Sequence, residues 1–199
     1  MNTHRRRSLA VLAAFALASA SAQNIAINFD FNTDLGSWNT SENAASEVTT
    51  AWNSLDANGA PTSGSAQVNN ISPGPNNGVT LIQCLPAGAG QTYSFGGKIL
   101  VPAPGLGSND VATVDAYWTN DAGCLSNLSL ETTNFSPGVA DTWVTQPPTQ
   151  VVAPAGTNGV KIRARVTKFD AGGTLTALFD DVFFGPGTFP VTLQSFSVD

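Results

Sequence analysis

The chain has 199 residues, with eight Lys+Arg against 14 Asp+Glu, a single His and two Cys, and a formal net charge of −6. Three of the cations are Arg5, Arg6 and Arg7, so the chain after residue 22 carries 5 − 14 = −9. Such a chain repels phosphate backbones and anionic membrane surfaces, which excludes nucleic acid and lipid headgroups as natural partners.

Residues 1–22 read as an export signal. The three arginines form the positive region, Leu9 to Leu17 is an apolar run too short to span a bilayer, and Ala20-Ser21-Ala22 is a small-x-small cleavage site. No other long apolar run follows, so no membrane insertion is expected. A secreted or periplasmic protein starting at Gln23 is expected, of a size that one domain with a real core accommodates, and monomeric. In that oxidising setting Cys84 and Cys124 pair by default, because no third Cys and no His is at hand for a zinc site.

Turn residues then interrupt the chain every eight to 12 positions or so, the spacing of an all-β sandwich. Ile25, Ile27, Phe29 and Phe31 alternate with polar or small neighbours and predict a first strand. Val79 to Cys84 predicts a short apolar strand. Tyr93, Phe95 and Ile99 predict another, in which Gly96 and Gly97 mark a bulge or a close approach. Val114, Ala116 and Trp118 oppose Thr113, Asp115 and Tyr117. Val160, Ile162, Ala164 and Val166 oppose Lys161, Arg163, Arg165 and Thr167, the clearest two-residue period in the chain. In the last long strand, Leu178, Asp180, Val182 and Phe184 are expected on one face, and Phe179, Asp181 and Phe183 on the other. The segments 69–77, 102–110, 135–141 and 147–158 read as loops. The domain is bounded at 23–184, with a tail over 185–199.

Catalysis has little to work with. The only His is His4, inside the leader, which removes Ser-His-Asp and Cys-His chemistry. A carboxylate pair for glycoside hydrolysis needs two acids flanking one bond. The adjacent pair Asp180-Asp181 does not qualify under strict alternation, since neighbours on a strand point to opposite faces. The expectation is a non-enzyme.

The landmarks nevertheless form a pattern. Asn28-Phe29-Asp30-Phe31-Asn32 precedes Leu35-Gly36-Ser37-Trp38. Ser63-Gly64-Ser65-Ala66 follows, then Gln83-Cys84 and Gly90-Gln91-Thr92-Tyr93-Ser94-Phe95. Asp141-Thr142-Trp143 and Phe179-Asp180-Asp181-Val182-Phe183-Phe184 complete the order. This order resembles the secreted carbohydrate-binding modules of the family 4, 9 and 22 (CenC-like) type, within the galactose-binding-like jelly rolls. The resemblance implies a single antiparallel jelly-roll β-sandwich and a polysaccharide or glycan as partner. It also implies a structural calcium near the first and last strands, carried by Asn32, Asp56 and Asp180. Calcium prefers several hard oxygens, and the family usually has an acid where this chain has Asn32.

Sugars are recognised by flat apolar platforms and convergent hydrogen-bonding groups. Trp38, Trp118 and Trp143 fall at positions that favour packing. Tyr117 shares a polar face with Asp115, and Arg163 and Arg165 share the polar face of another strand. If those strands are in one sheet, Asp115, Tyr117, Arg163 and Arg165 form a ligand surface, and Trp52 is a fifth candidate. Two readings stay open: a carbohydrate-binding module, or a structural or adhesive surface protein whose Asp–Arg pairs merely brace a solvated sheet.

Overall fold

Residues 23–59, 63–75, 77–107 and 109–187 are described by the computed structural model; the leader 1–22 and residues 188–199 of the expected tail lie outside the described residues. Ten strands occur in chain order: β1 (Val48–Asn53), β2 (Ser65–Asn70), β3 (Asn77–Pro86), β4 (Thr92–Leu100), β5 (Val111–Thr119), β6 (Asn127–Glu131), β7 (Val144–Thr145), β8 (Thr149–Val152), β9 (Gly159–Lys168) and β10 (Leu175–Pro186). They form two antiparallel sheets. One is ordered β3-β9-β5-β6; the other is ordered β1-β2-β10-β4-β7, with β8 also paired to β4. The protein is an all-β sandwich, as its turn spacing implies.

The core follows from the alternation. Ala112, Val114, Ala116 and Trp118 of β5 and Val160, Ile162, Ala164 and Val166 of β9 point inward and meet Tyr93, Phe95 and Phe184 from the opposite sheet. The Tyr93 and Phe184 rings stack with centroids 4.9 Å apart, and Trp118 packs on both at 5.6 and 6.2 Å. Trp38 is also in the core, whereas Trp143 is half-buried just before β7. Gly97 on β4 packs closely against the opposite sheet. A Cβ there would lie 3.2 Å from Val114 Cγ2 and 3.4 Å from the Asp180 carbonyl, so the predicted close approach at Gly96-Gly97 is real. Gln146 ties the sheets together at one edge. Its backbone N–H donates to the Gly97 carbonyl on one sheet; its side chain accepts from Val114 N–H and donates to the Val114 carbonyl on the other.

Several expectations fail, among them the loop at 147–158, which holds β8. Residues 25–31 form no regular strand, because Asn28 and Phe31 adopt left-handed backbone (φ 49° and 43°), which breaks the pleat. The segment still lines the β10 edge: Ile25 N–H donates to the Phe184 carbonyl and Val182 N–H to the Phe29 carbonyl. Strict alternation also fails in β10. From Asp180, opposite Lys98, to Phe183, opposite Gly96, β10 advances three residues while β4 advances two. The extra residue is a β-bulge, and Asp181 adopts φ 47° within it. Phe179 is therefore in the core together with Val182 and Phe184, not on the opposite face. The strand also runs through Pro186, two residues past the expected boundary at 184.

Cys84 and Cys124 are bonded, closing a loop across a sequence separation of 40. It joins β3 to the turn that leads into β6. A loop of that size stabilises by about 4 kcal/mol in the chain-entropy model. Reduction, or the double substitution Cys84→Ser/Cys124→Ser, is expected to lower the thermal midpoint by roughly 10 °C, read by circular dichroism under matched oxidising and reducing conditions.

Candidate functional site

Pairing of β5 with β9 places Thr113 opposite Arg165, Asp115 opposite Arg163 and Tyr117 opposite Lys161, with all six side chains on the outer face of the four-stranded sheet. Four of the five ligand candidates, Asp115, Tyr117, Arg163 and Arg165, are thus brought together. Asp115 has no exposed surface. Its carboxylate accepts Arg163 Nε at 2.6 Å and Nη2 at 2.9 Å, and Arg165 Nε at 2.7 Å. Arg165 also donates to Thr167 Oγ1 at 2.6 Å and Thr132 Oγ1 at 2.9 Å. Burial acts to lower the Arg163 pKa, but the hydrogen bond and charge of Asp115, with Glu42 and Tyr117 adding, leave it raised. The triad is a closed set of charge-assisted bonds under the face. Asp115, Arg163 and Arg165 hold one another and Tyr117 in place.

The Tyr117 ring lies on this brace. The Arg163 guanidinium carbon is 5.2 Å and the Lys161 ammonium 6.0 Å from its centroid, both cation–π distances. Lys161 is ion-paired to Glu42 and donates to Asn127 Oδ1 at 2.9 Å. Beside these groups opens a cavity of about 340 Å³ bounded by Glu42, Ile82, the Cys84–Cys124 bridge, Leu125 and Lys161. Leu125 is 88% exposed at its rim, and Leu128 and Leu130 of β6 are also exposed. The arrangement offers a half-buried aromatic ring, an ammonium, a carboxylate, amides and apolar side chains along one face. Of the groups not anticipated, Lys161 was reachable from the β9 alternation, whereas Glu42 comes from a loop with no pattern to announce it.

Trp52 does not join this group. It belongs to β1 in the other sheet, with its indole N–H donating to the Phe31 carbonyl at 2.7 Å and its ring packed over Gly64. A Cβ at Gly64 would fall 2.6 Å from the ring and 2.4 Å from the Asn53 carbonyl, which gives the Ser-Gly-Ser segment its physical reason. Trp52 keeps 39% exposure but acts as a lid on that edge.

The three residues expected to hold calcium are not gathered equally. Asp180 is buried; its oxygens accept Ala57 N–H at 2.9 Å and Asp181 N–H at 2.7 Å. Asp56 is near enough for its charge to act on Asp180. Asn32 instead donates its amide to Asp30 Oδ2 at 2.8 Å. Among the described residues no cluster of three or more His, Cys, Asp or Glu is placed to hold a metal. Asp180 and Asp56 are the two carboxylates there that could hold a calcium, and both oxygens of Asp180 already accept backbone N–H groups.

Comparison with known proteins bears on the fold. No protein-family model matches the sequence, and no curated protein matches it. Solved structures do. A family 16 carbohydrate-binding module aligns with a TM-score of 0.51 at 16% identity over 81% of this chain and 99% of that one. The arabinose-bound GH51 α-L-arabinofuranosidase gives 0.57 at 16% identity over 85% of this chain, and the enzymatically active domain of tailspike protein 4 of bacteriophage CBA120 gives 0.57 at 14% over 82%. This chain spans only 27% and 21% of those last two chains. The fold is the β-sandwich found in carbohydrate-binding modules, in agreement with the family resemblance carried by the sequence landmarks.

Two outcomes follow from the electrostatics. Asp115→Ala leaves the buried Arg163 and the half-buried Arg165 without their carboxylate and is expected to cost about 3–5 kcal/mol in denaturant unfolding. For Asp180, burial pushes the pKa up from 3.8 to about 6; the Ala57 and Asp181 N–H donors pull it down, and the Asp181 and Asp56 charges add to the rise. A carboxyl whose pKa is raised on folding binds its proton more tightly in the folded state, so it costs stability at neutral pH and the cost falls as pH drops through about 6. In chelator-containing buffer this group is expected to make the protein about 1.5 kcal/mol more stable at pH 5 than at pH 7, and Asp180→Asn removes that difference, read by urea titration at both pH values.

Proposed function

We propose that this protein is an exported, non-catalytic carbohydrate-binding module that holds a neutral polysaccharide or glycan on the outer face of the β3-β9-β5-β6 sheet. The observation that carries the proposal is the Tyr117 ring. It lies half-buried on a closed Asp115–Arg163–Arg165 brace, next to a cavity edged by Lys161, Glu42 and Leu125. A ring held this way loses little freedom when a sugar C–H face stacks on it, and Lys161, Glu42 and Asn127 supply donors and acceptors for hydroxyls. Trp52 has no part in this face. The disulfide supports an oxidising, extracytoplasmic setting. The burial of Asp180 keeps that acid from a sugar, which supports a binding role. The protein acts as a monomer in this reading. A structural calcium at Asp180 and Asp56 belongs to the proposal as a stabilising ion between the 56–58 loop and β10, supplying charge compensation.

The test is a glycan array and an insoluble-polysaccharide pull-down with wild type and Tyr117→Ala, each with calcium and with chelator. Tyr117→Ala is expected to weaken binding about tenfold while leaving the melting temperature within a few degrees. Calcium is expected to raise the melting temperature of wild type but not of Asp180→Asn. A folded, oxidised protein that retains no glycan at all would leave the structural or adhesive reading in its place.

A further inference from the structure

The opposite sheet carries a second concavity. On the outer face of the β10-β4-β7 region lies a groove of about 350 Å³. Its walls are Phe29, Phe183 and Pro148, its floor is the β4 backbone at Gly96 and Gly97, and Lys98 and Asp181 stand at one end. The β-bulge builds it. Because β10 advances three residues against two, Phe183 lies on the outer side opposite Gly96, where it keeps only 7% exposure, while Val182 and Phe184 turn into the core. The missing side chain at Gly96 makes the floor, since a Cβ there would sit 3.4 Å from the Gln146 carbonyl and 3.7 Å from Pro148 Cα. Phe29 is brought in by the N-terminal segment bonded along β10, and it keeps 36% exposure.

The polar end selects the ligand. Lys98 Nζ is 2.9 Å from Asp181 Oδ2, Asn58 Nδ2 donates to the same oxygen at 2.9 Å, and Lys98 donates to Asn58 Oδ1. The Lys98 and Asp181 side chains are 27% and 29% exposed. This end is electrically neutral yet presents both donors and acceptors. An anion there would face Asp181, and a cation would face Lys98. A purely apolar occupant would strip water from the pair without replacing its hydrogen bonds. A flat ring with apolar faces and hydroxyl edges meets both demands.

We infer that this groove is a second carbohydrate subsite, taking a neutral pyranose unit against Phe29 and Pro148, with Phe183 backing the groove and the sugar hydroxyls on Lys98, Asp181 and Asn58. It rests on the reading of the protein as a glycan binder but not on the Tyr117 face. With sites on opposite sheets, one molecule bridges two glycan segments, so binding to a polysaccharide surface gains from multivalency.

The experiment is a ¹⁵N-amide NMR titration of the protein with cellohexaose, xylohexaose and mannohexaose, and with a hexauronate as charged control. The neutral oligosaccharides are expected to shift Gly96, Gly97, Lys98 and Asp181 as one saturating set, separate from Tyr117, Lys161 and Arg163. Phe29→Ala is expected to weaken the first set about tenfold and leave the second unchanged. Gly96→Ala, whose added methyl meets only ordinary contacts, narrows the floor and serves as a second variant with the fold intact. Shifts confined to the Tyr117 set overturn the groove and leave the sheet-face reading standing. Shifts confined to the Gly96 set sustain the groove and overturn the sheet face. Tighter binding of the hexauronate than of any neutral probe overturns the ligand class, and no shift in either set overturns both sites.

Discussion

In a two-sheet sandwich each strand residue goes either to the shared core or to an outer face, and this chain departs from that alternation most consequentially at Asp181. The extra residue lets Phe179, Val182 and Phe184 all reach the core on either side of a change in parity. It needs a partner strand that tolerates two residues opposite one, and Gly97, with no side chain to collide with Val114 or the Asp180 carbonyl, meets that need. The same step turns Phe183 outward and brings Asp180 and Asp181 both toward the 57–58 loop, where Ala57 and Asn58 bond to them. A buried acid, an ion pair and an aromatic groove on one sheet thus trace back to one inserted residue.

The other sheet is organised by charge. Two arginines share one fully buried carboxylate, and the energetic logic of such a set is asymmetric. Intact, it contributes little net stability over an apolar equivalent; with one partner removed, a desolvated charge is stranded. What it secures is orientation. Every oxygen of Asp115 and several N–H groups of the arginines are committed to fixed partners, so the ring above them is held without the chain having to bury it. The ring forms a firm platform, and Glu42 is fixed to Lys161 at its side. The brace and the platform are one unit.

Much of this was legible in the residues. Strict two-residue periods in β5 and β9 identify their inward and outward faces, because a strand's side chains have no other choice. The four residues Asp115, Tyr117, Arg163 and Arg165 could be grouped from that alone, on the condition that the two strands share a sheet. The pairing of Cys84 with Cys124 followed from there being no third Cys, and no His beyond His4, to compete. Turn chemistry and the absence of helical periodicity were enough for the all-β class.

What only the tertiary structure decided depends on contacts between residues far apart in the chain. Register determines that Asp115 meets Arg163 rather than solvent, and register is a property of two strands, not of one. Left-handed backbone at Asn28 and Phe31 turned a run with perfect alternation into an edge segment, since periodicity carries no information about φ. Trp52 was assigned to one edge by a glycine 12 residues away and a carbonyl 21 residues away. The bulge in β10 was invisible because an inserted residue leaves composition and apolar count unchanged and alters only which way the following side chains point. The amino-acid sequence by itself determined the fold class, the disulfide and the faces of the regular strands, where local geometry leaves two options; the groove, the brace and the fate of Asp180 were decided where distant segments meet.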